Sequence, residues 1–298
     1  MQRRFVTVDV FTERMFGGNP LAVVLDAEGL DSAQMQAIAR EFNYSETTFV
    51  LPPRAAGHTA QVRIFTPRVE VPFAGHPNVG TAVVLAHEFQ ARGAPAGGQF
   101  IFEELAGAVP VQLLRADGVV VGAELTAPEP LSRGAQPALA AVADCLSLRP
   151  DELRLASHAP QVISVGLPFL VAELVSLEAL RRAQPAHAAH ERLLPGIGTD
   201  GVYAYVRAPG AHELQARNFM PLDGCSEDPA TGSAAGATIA LLTALEPQPD
   251  CDRQWRISQG IEMGRPSLLL GRTVKRAGQV TSVQVAGRAV PVMQGHLR

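Results

Sequence analysis

Lysine is almost absent from this sequence: Lys275 stands alone among 25 lysines and arginines. A pyridoxal phosphate enzyme needs a lysine to form its Schiff base, and a P-loop needs GxxxxGK[ST]. Lys275 lies between two strand-like runs, 267–274 and 279–285, where a solvated turn lysine is expected. Both enzyme classes are therefore nearly excluded. Cysteine is scarce as well. Cys145, Cys225 and Cys251 are dispersed and form no CxxC pair, so neither a disulfide framework nor a zinc ribbon is expected. No apolar run approaches the roughly 20 residues that span a bilayer. The opening Met1–Val6 lacks the apolar core and cleavage site of a signal peptide. No block of like charge appears, the net charge is −4, and no basic face of the kind nucleic-acid binders carry is visible. A soluble, cytoplasmic protein with no membrane or nucleic-acid partner is the expectation.

What is present is a chain of 298 residues, 47% hydrophobic and 18% charged, able to bury a substantial core. At about 100–200 residues per domain it forms two modest domains or one large one. The 27 glycines and 23 prolines predict many short turns. Asp31-Ser32 offers an N-cap, and Met35, Ile38, Ala39 and Phe42 follow on one helical face up to Asn43. Two runs, 79–87 and 234–245, are apolar almost all round, as buried helices are. Each follows strands and a glycine-bearing turn, and strands follow each in turn. Gly80-Thr81-Ala82-Val83-Val84-Leu85 resembles Gly236-Ala237-Thr238-Ile239-Ala240-Leu241. Ala127-Pro128-Glu129-Pro130 reads as a linker, and 183–198 as a Pro/Ala/His-rich surface loop. Separate strands are expected at 280–285 and 289–292. The predicted division is 1–127 and 128–288, with residues 289–298 as candidates to rejoin the first half.

Helix N-termini expose unbonded N–H groups and the positive end of a dipole, so they attract anions. Gly75 and Gly232 precede the two apolar helices. Each alone reads as a tight-turn residue; in matching places of two halves, an anion-gripping role weighs equally. Glu46 reads from position alone as a solvated turn glutamate, or, beside Tyr44 and Phe49, as a partly desolvated acid or base. His76, in an apolar stretch, is either structural or a hydrogen-bond donor and proton carrier. Asp228 either caps the turn into the second helix or binds an amino or hydroxyl group. Ser233 reads as a first-turn helix residue, since Gly232-Ser233-Ala234-Ala235-Gly236 does not fit the GxSxG elbow. His187, His190 and Glu191 are not HExxH and read as solvated surface, so no metal site is expected.

Motifs through nearly the whole chain add to this. They include Asp9-Val10-Phe11 with Gly18-Asn19-Pro20, then Ser45-Glu46-Thr47-Thr48-Phe49-Val50, and Pro72-Phe73-Ala74-Gly75-His76-Pro77. Further on come Arg217-Asn218-Phe219, Glu227-Asp228-Pro229-Ala230-Thr231-Gly232-Ser233, and Gln259-Gly260-Ile261-Glu262-Met263-Gly264-Arg265. In order and spacing they resemble the phenazine-biosynthesis isomerase (PhzF-like) family of the diaminopimelate-epimerase-like superfamily. The resemblance implies an α+β fold of two pseudo-symmetric domains, each a curved, mostly antiparallel sheet wrapped around a central helix, with the active site in the cleft between them. It implies a homodimer and proton transfer without a cofactor on a small-molecule acid. The family's catalytic glutamate, histidine, aspartate and serine map onto Glu46, His76, Asp228 and Ser233. Asn19, Gly75 and Gly232 map onto substrate-contacting positions. The superfamily's amino-acid epimerases use two facing cysteines, which this sequence lacks at both helices. The expected activity is isomerisation of a dihydro-hydroxyanthranilate-type substrate. Epimerisation or isomerisation of another small amino or hydroxy acid, and ligand binding without catalysis, are the alternatives.

Overall fold

A computed structural model describes residues 2–94, 96–207, 213–223 and 225–298. The chain separates into two compact units, Met1–Leu125 with Ala286–Arg298, and Thr126–Val285. These divisions fall a few residues before the expected 127/128 and 288/289.

The elements of the first unit are β1 (Arg3–Val10), β2 (Asn19–Val24), α1 (Ser32–Phe42), β3 (Glu46–Leu51), β4 (Ala60–Phe65), β5 (Glu70–Val71), α2 (Gly75–Ala91), β6 (Gln99–Glu104), β7 (Gly107–Ala116) and β8 (Val119–Thr126). Those of the second are β9 (Ser132–Arg133), α3 (Leu139–Cys145), β10 (Gln161–Ser164), β11 (Pro168–Glu173), α4 (Leu177–Arg182), α5 (His187–Ile197), β12 (Val202–Arg207), β13 (Leu214–Met220), β14 (Cys225–Asp228), α6 (Gly232–Leu245), β15 (Cys251–Gln259) and β16 (Ser267–Arg276). The last strand, β17 (Gln279–Leu297), starts in the second unit and ends in the first. It is one strand of 19 residues where two short ones were expected.

In the first unit, pairing runs β1–β2–β3–β4–β6–β7–β8–β17 and returns to β1. The sheet closes on itself. Two of its pairings, β2 with β3 and β4 with β6, are parallel and need crossovers. The first crossover contains α1, which starts on an Asp31–Gln34 capping box and ends at Asn43 in the left-handed conformation. Its Met35 and Ala39 bury against Val24, Phe49 and Phe65. The second contains α2, which packs against β1, β2, β3 and β7, with His76 through Ala86 all buried. This position explains a helix with no polar face. Closest approach is at Gly80, where a Cβ would stand 2.6 Å from Leu21 Cδ2 and 2.9 Å from Val10 Cγ2.

The same connection pattern recurs in the second unit. β11 and β12 are parallel across α4 and α5, and β13 and β15 are parallel across β14 and α6. α3, α4 and α5 cover the side of the sheet that carries Leu170, Ala172, Val202 and Ala204. α6 packs on β10, β11, β15 and β16. β12 is consequently buried from Val202 to Val206, as strands covered on both faces are.

Two sequence expectations need correction here. Residues 183–198 are not a surface loop: α5 occupies most of them. The apolar spacing of Ala186, Ala189, Leu193, Leu194 and Ile197 docks the helix on the core, and this outweighs its prolines. His190 on that helix is fully buried, with Nδ1 3.0 Å from the Ala186 carbonyl, while His187 and Glu191 remain exposed. Lys275 is not a solvated turn lysine. It lies in β16, whose inward residues alternate from Ser267 through Leu269, Gly271 and Thr273, and this alternation carries Lys275 inside with 4% exposure. Its ammonium donates to the carbonyls of Ala244 (3.1 Å) and Glu246 (2.6 Å) at the C-terminus of α6, the negative end of that helix. Among the described residues no helix is long and apolar enough to cross a membrane, and no three histidine, cysteine or acidic side chains gather to hold a metal ion.

Candidate active site

In the first unit, the parallel pair β2–β3 begins at the register Leu21–Glu46, so Glu46 stands beside the Asn19-Pro20 entry to β2. Its side chain is 18% exposed, not the solvated turn glutamate that position alone favours. The Glu46 Oε2 lies 3.5 Å from Nε2 of His76, the second residue of α2. His76 Nδ1 is 3.4 Å from Asn19 Nδ2. Burial pushes the imidazole down to about 3, against the opposing pull of a hydrogen bond to the Pro20 carbonyl. The ring is therefore neutral at physiological pH. A neutral imidazole carries one N–H donor and one acceptor nitrogen. Gly75 opens α2, and the capping position, Ala74, has no side chain that could bond the first-turn N–H groups.

Glu104 is a titratable neighbour of this turn that no sequence pattern marks. Burial pushes its carboxyl up to about 8, partly opposed by the neighbouring Asn78 amide. Asn78 in turn donates to the Ala74 carbonyl at 3.1 Å. An acid whose pKa is raised by folding binds its proton more tightly in the folded state. The resulting stability is complete below about pH 4.5 and is lost as pH rises through about 8. Glu104→Gln, a neutral isostere, is expected to melt above the wild type at pH values beyond 8 and to match it near pH 4.5. Calorimetry across that range checks this, and parallel melting curves at every pH would refute it.

In the second unit, Tyr203, Asn218 and Asp228 are register partners on β12, β13 and β14 and share one face of the sheet. Thr231 caps α6 by position, but its side chain makes no cap bond. Its Oγ1 instead lies 2.5 Å from Asp228 Oδ2, 2.9 Å from Asn218 Nδ2 and 3.1 Å from Gln259 Nε2. Gly232 and Ser233 follow as the first two helical residues; Gly232 is buried and Ser233 partly exposed. Tyr203 is fully buried, and desolvation together with the charge of Asp228 keeps its phenol protonated. Arg217 anchors this arrangement. It grips Glu227 through two bonds of 2.8 and 2.7 Å and donates to the carbonyls of Leu180 and Ala183 at the end of α4. Its guanidinium lies over the Phe219 ring.

The structure thus gathers Glu46, His76, Asn19 and Gly75 in one unit, and Asp228, Gly232 and Ser233 in the other. Sequence reasoning assigned no role to Thr231, Gln259, Asn218 or Tyr203. The first three stand inside the quoted motifs, but nothing in their spacing says that they touch.

The phenazine biosynthesis-like protein family model matches residues 8–295. The chain belongs to that family. Over 296 residues it is 38% identical to trans-2,3-dihydro-3-hydroxyanthranilate isomerase of Pseudomonas chlororaphis, with 98% of each chain covered. Over 304 residues it is 40% identical to an uncharacterized isomerase, mll1393, of Mesorhizobium japonicum, covering 99% of this chain and 98% of the relative. Its fold matches the crystal structure of the Bacillus anthracis phenazine biosynthesis protein of the PhzF family with a TM-score of 0.87 and 24% identity, over 100% of this chain and 99% of that one. Family and fold agree with the α+β architecture described above.

Proposed function

We propose that this chain moves a proton within a small conjugated carboxylic or amino acid of the dihydro-hydroxyanthranilate type, with Glu46 taking and returning the proton. The chain is an isomerase, the class to which its full-length relatives are assigned. The observation that carries the finer reading is that the carboxylate is one-sided. Leu21–Glu46 opens the parallel pair β2–β3, and Leu170–Val202 opens its counterpart β11–β12. An acid in one unit and a valine at the matching register in the other suit a single group working on one face. The first turns of α2 and α6, Gly75-His76 and Gly232-Ser233, likewise carry no thiol pair for two-base epimerisation. Cys225 lies in β14 and donates its S–H to the Glu227 carbonyl.

In the proposed reaction the Glu46 carboxylate removes the C3 proton, the electron pair spreads through the conjugated system, and the new carboxylic acid delivers the proton to C1. No cofactor enters, because conjugation makes the proton acidic enough for a carboxylate. The neutral His76 nitrogen beside Glu46 accepts from the carboxylic acid while the proton is held there. The uncapped helix starts at Gly75 and Gly232 stabilise developing negative charge. Asp228, Ser233 and Asn19 orient the substrate's polar groups. Incubation with trans-2,3-dihydro-3-hydroxyanthranilate in D₂O, followed by NMR, tests the proposal. Movement of hydrogen from C3 to C1 is the expected result. Absence of conversion and of C–H exchange, for that compound and for related small amino and hydroxy acids, would overturn it.

A further inference from the structure

We infer that Thr231 is a positioning residue that holds Asp228 as a carboxylate, because Gln259 and Asn218 leave its hydroxyl hydrogen only one direction to point. Backbone groups have fixed polarity: the Thr231 N–H can only donate and the Asp228 C=O can only accept. Gln259 meets both. Its Oε1 accepts from Thr231 N at 3.2 Å, and its Nε2 donates to the Asp228 carbonyl at 2.8 Å. These two contacts settle the orientation of the amide. The second Nε2 hydrogen goes to Thr231 Oγ1 at 3.1 Å, and Asn218 Nδ2 gives the same oxygen another at 2.9 Å.

A hydroxyl has two acceptor sites and one hydrogen. Both acceptor sites of Thr231 are filled, so its hydrogen is given to the remaining neighbour, Asp228 Oδ2, at 2.5 Å. A protonated Asp228 could not give a hydrogen back, since Thr231 has no lone pair left to receive it. Oδ2 is therefore an acceptor, and the network favours the charged acid. Asn218 and Gln259 are fully buried and Thr231 and Asp228 nearly so, which keeps water from competing for these bonds. Tyr203, which faces Asp228 from β12, stays protonated and adds no negative charge. An Asp228 held this way can take only a donor from a ligand, an amino or hydroxyl group. That last consequence rests on the proposed function; the hydrogen count does not.

The test follows the ¹³C resonances of aspartate carboxyls through an acid titration of the full chain, with Asp228 assigned by Asp228→Asn. Thr231→Val is expected to move the Asp228 midpoint upward. Thr231→Ser should leave it where the wild type has it, and Asn218→Ala, which frees one acceptor site on Thr231, should move it upward by less. With the substrate proposed above, Thr231→Val should lose about tenfold or more in kcat/KM and shift the acidic limb of the pH profile upward, with Thr231→Ser restoring both. A folded Thr231→Val with an unmoved midpoint overturns the inference, as does Thr231→Ser behaving like Thr231→Val. Should Thr231→Val not fold, Asn218→Ala decides alone, and a wild-type midpoint there overturns it. If the wild type turns over nothing, the titration still reads out, so the two ideas fail separately.

Discussion

Glu46→Gln is expected to lower turnover of a dihydro-hydroxyanthranilate-type substrate by about 10³-fold or more, the scale of a lost general acid–base group. The amide keeps the shape of the side chain but cannot accept a proton from carbon. The substitution leaves the backbone of β3 in its register with β2 and β4, so the fold has no reason to change. Glutamine can still face the neutral His76 ring at the 3.5 Å separation seen for Oε2. Circular dichroism and melting should therefore match the wild type, and calorimetric affinity for a substrate analogue should change only a few-fold. The test lies in the combination of intact binding and lost chemistry. Turnover near the wild-type rate would remove Glu46 from the mechanism, and loss of binding together with turnover would make it a binding group.

The largest effect on stability is expected at Arg217. This guanidinium is 4% exposed and Glu227 12%. Arg217→Met leaves the Glu227 carboxylate in a poorly solvated place without its partner, and it also strips donors from the carbonyls at the end of α4. Breaking one side of a buried pair costs about 3–5 kcal/mol. Urea unfolding should show a loss in that range. Adding Glu227→Met should recover part of it, because the second change removes the stranded charge. A single-variant loss below about 1 kcal/mol, the range of an exposed pair, would mean that water reaches Glu227. The position also matters for the site. Glu227 immediately precedes Asp228, so losing the Arg217 clamp releases the strand that presents Asp228 beside Thr231.

The sequence made some of this legible and left other parts hidden, for a physical reason. Periodicity reports burial, so α1 could be placed from Asp31, Met35, Ile38, Ala39 and Phe42, and α2 and α6 from their unbroken apolar runs. It does not report which residue meets which. Thr231 and Gln259 are separated by 27 intervening residues, including the whole of α6, and their hydrogen bonds leave no mark on either segment. Composition misled at α5, where Pro185 just before the helix and Pro195 within it hid a helix whose apolar face was nevertheless present. Lys275 misled for a related reason. Lysine is usually solvated, but strand alternation and two helix-end carbonyls overrode that habit. Position alone suited Glu46 to a solvated turn. The motif resemblance singled it out together with His76, and the structure sets the two side chains in contact.

The path of β17 bears on how the protein is made. Its residues 289–297 pair with β1, and β17 also pairs with β8, with the Gly287 carbonyl too near Gly122 to admit a side chain there. On a ribosome, β1 through β8 emerge early and must wait while some 160 residues of the second unit are threaded out. Until then the N-terminal sheet is an open ribbon with two bare rims, and both are closed by the last segment to appear. A nascent chain arrested before residue 286 therefore displays two strands ready to recruit a foreign one, until the last segment emerges to cover both.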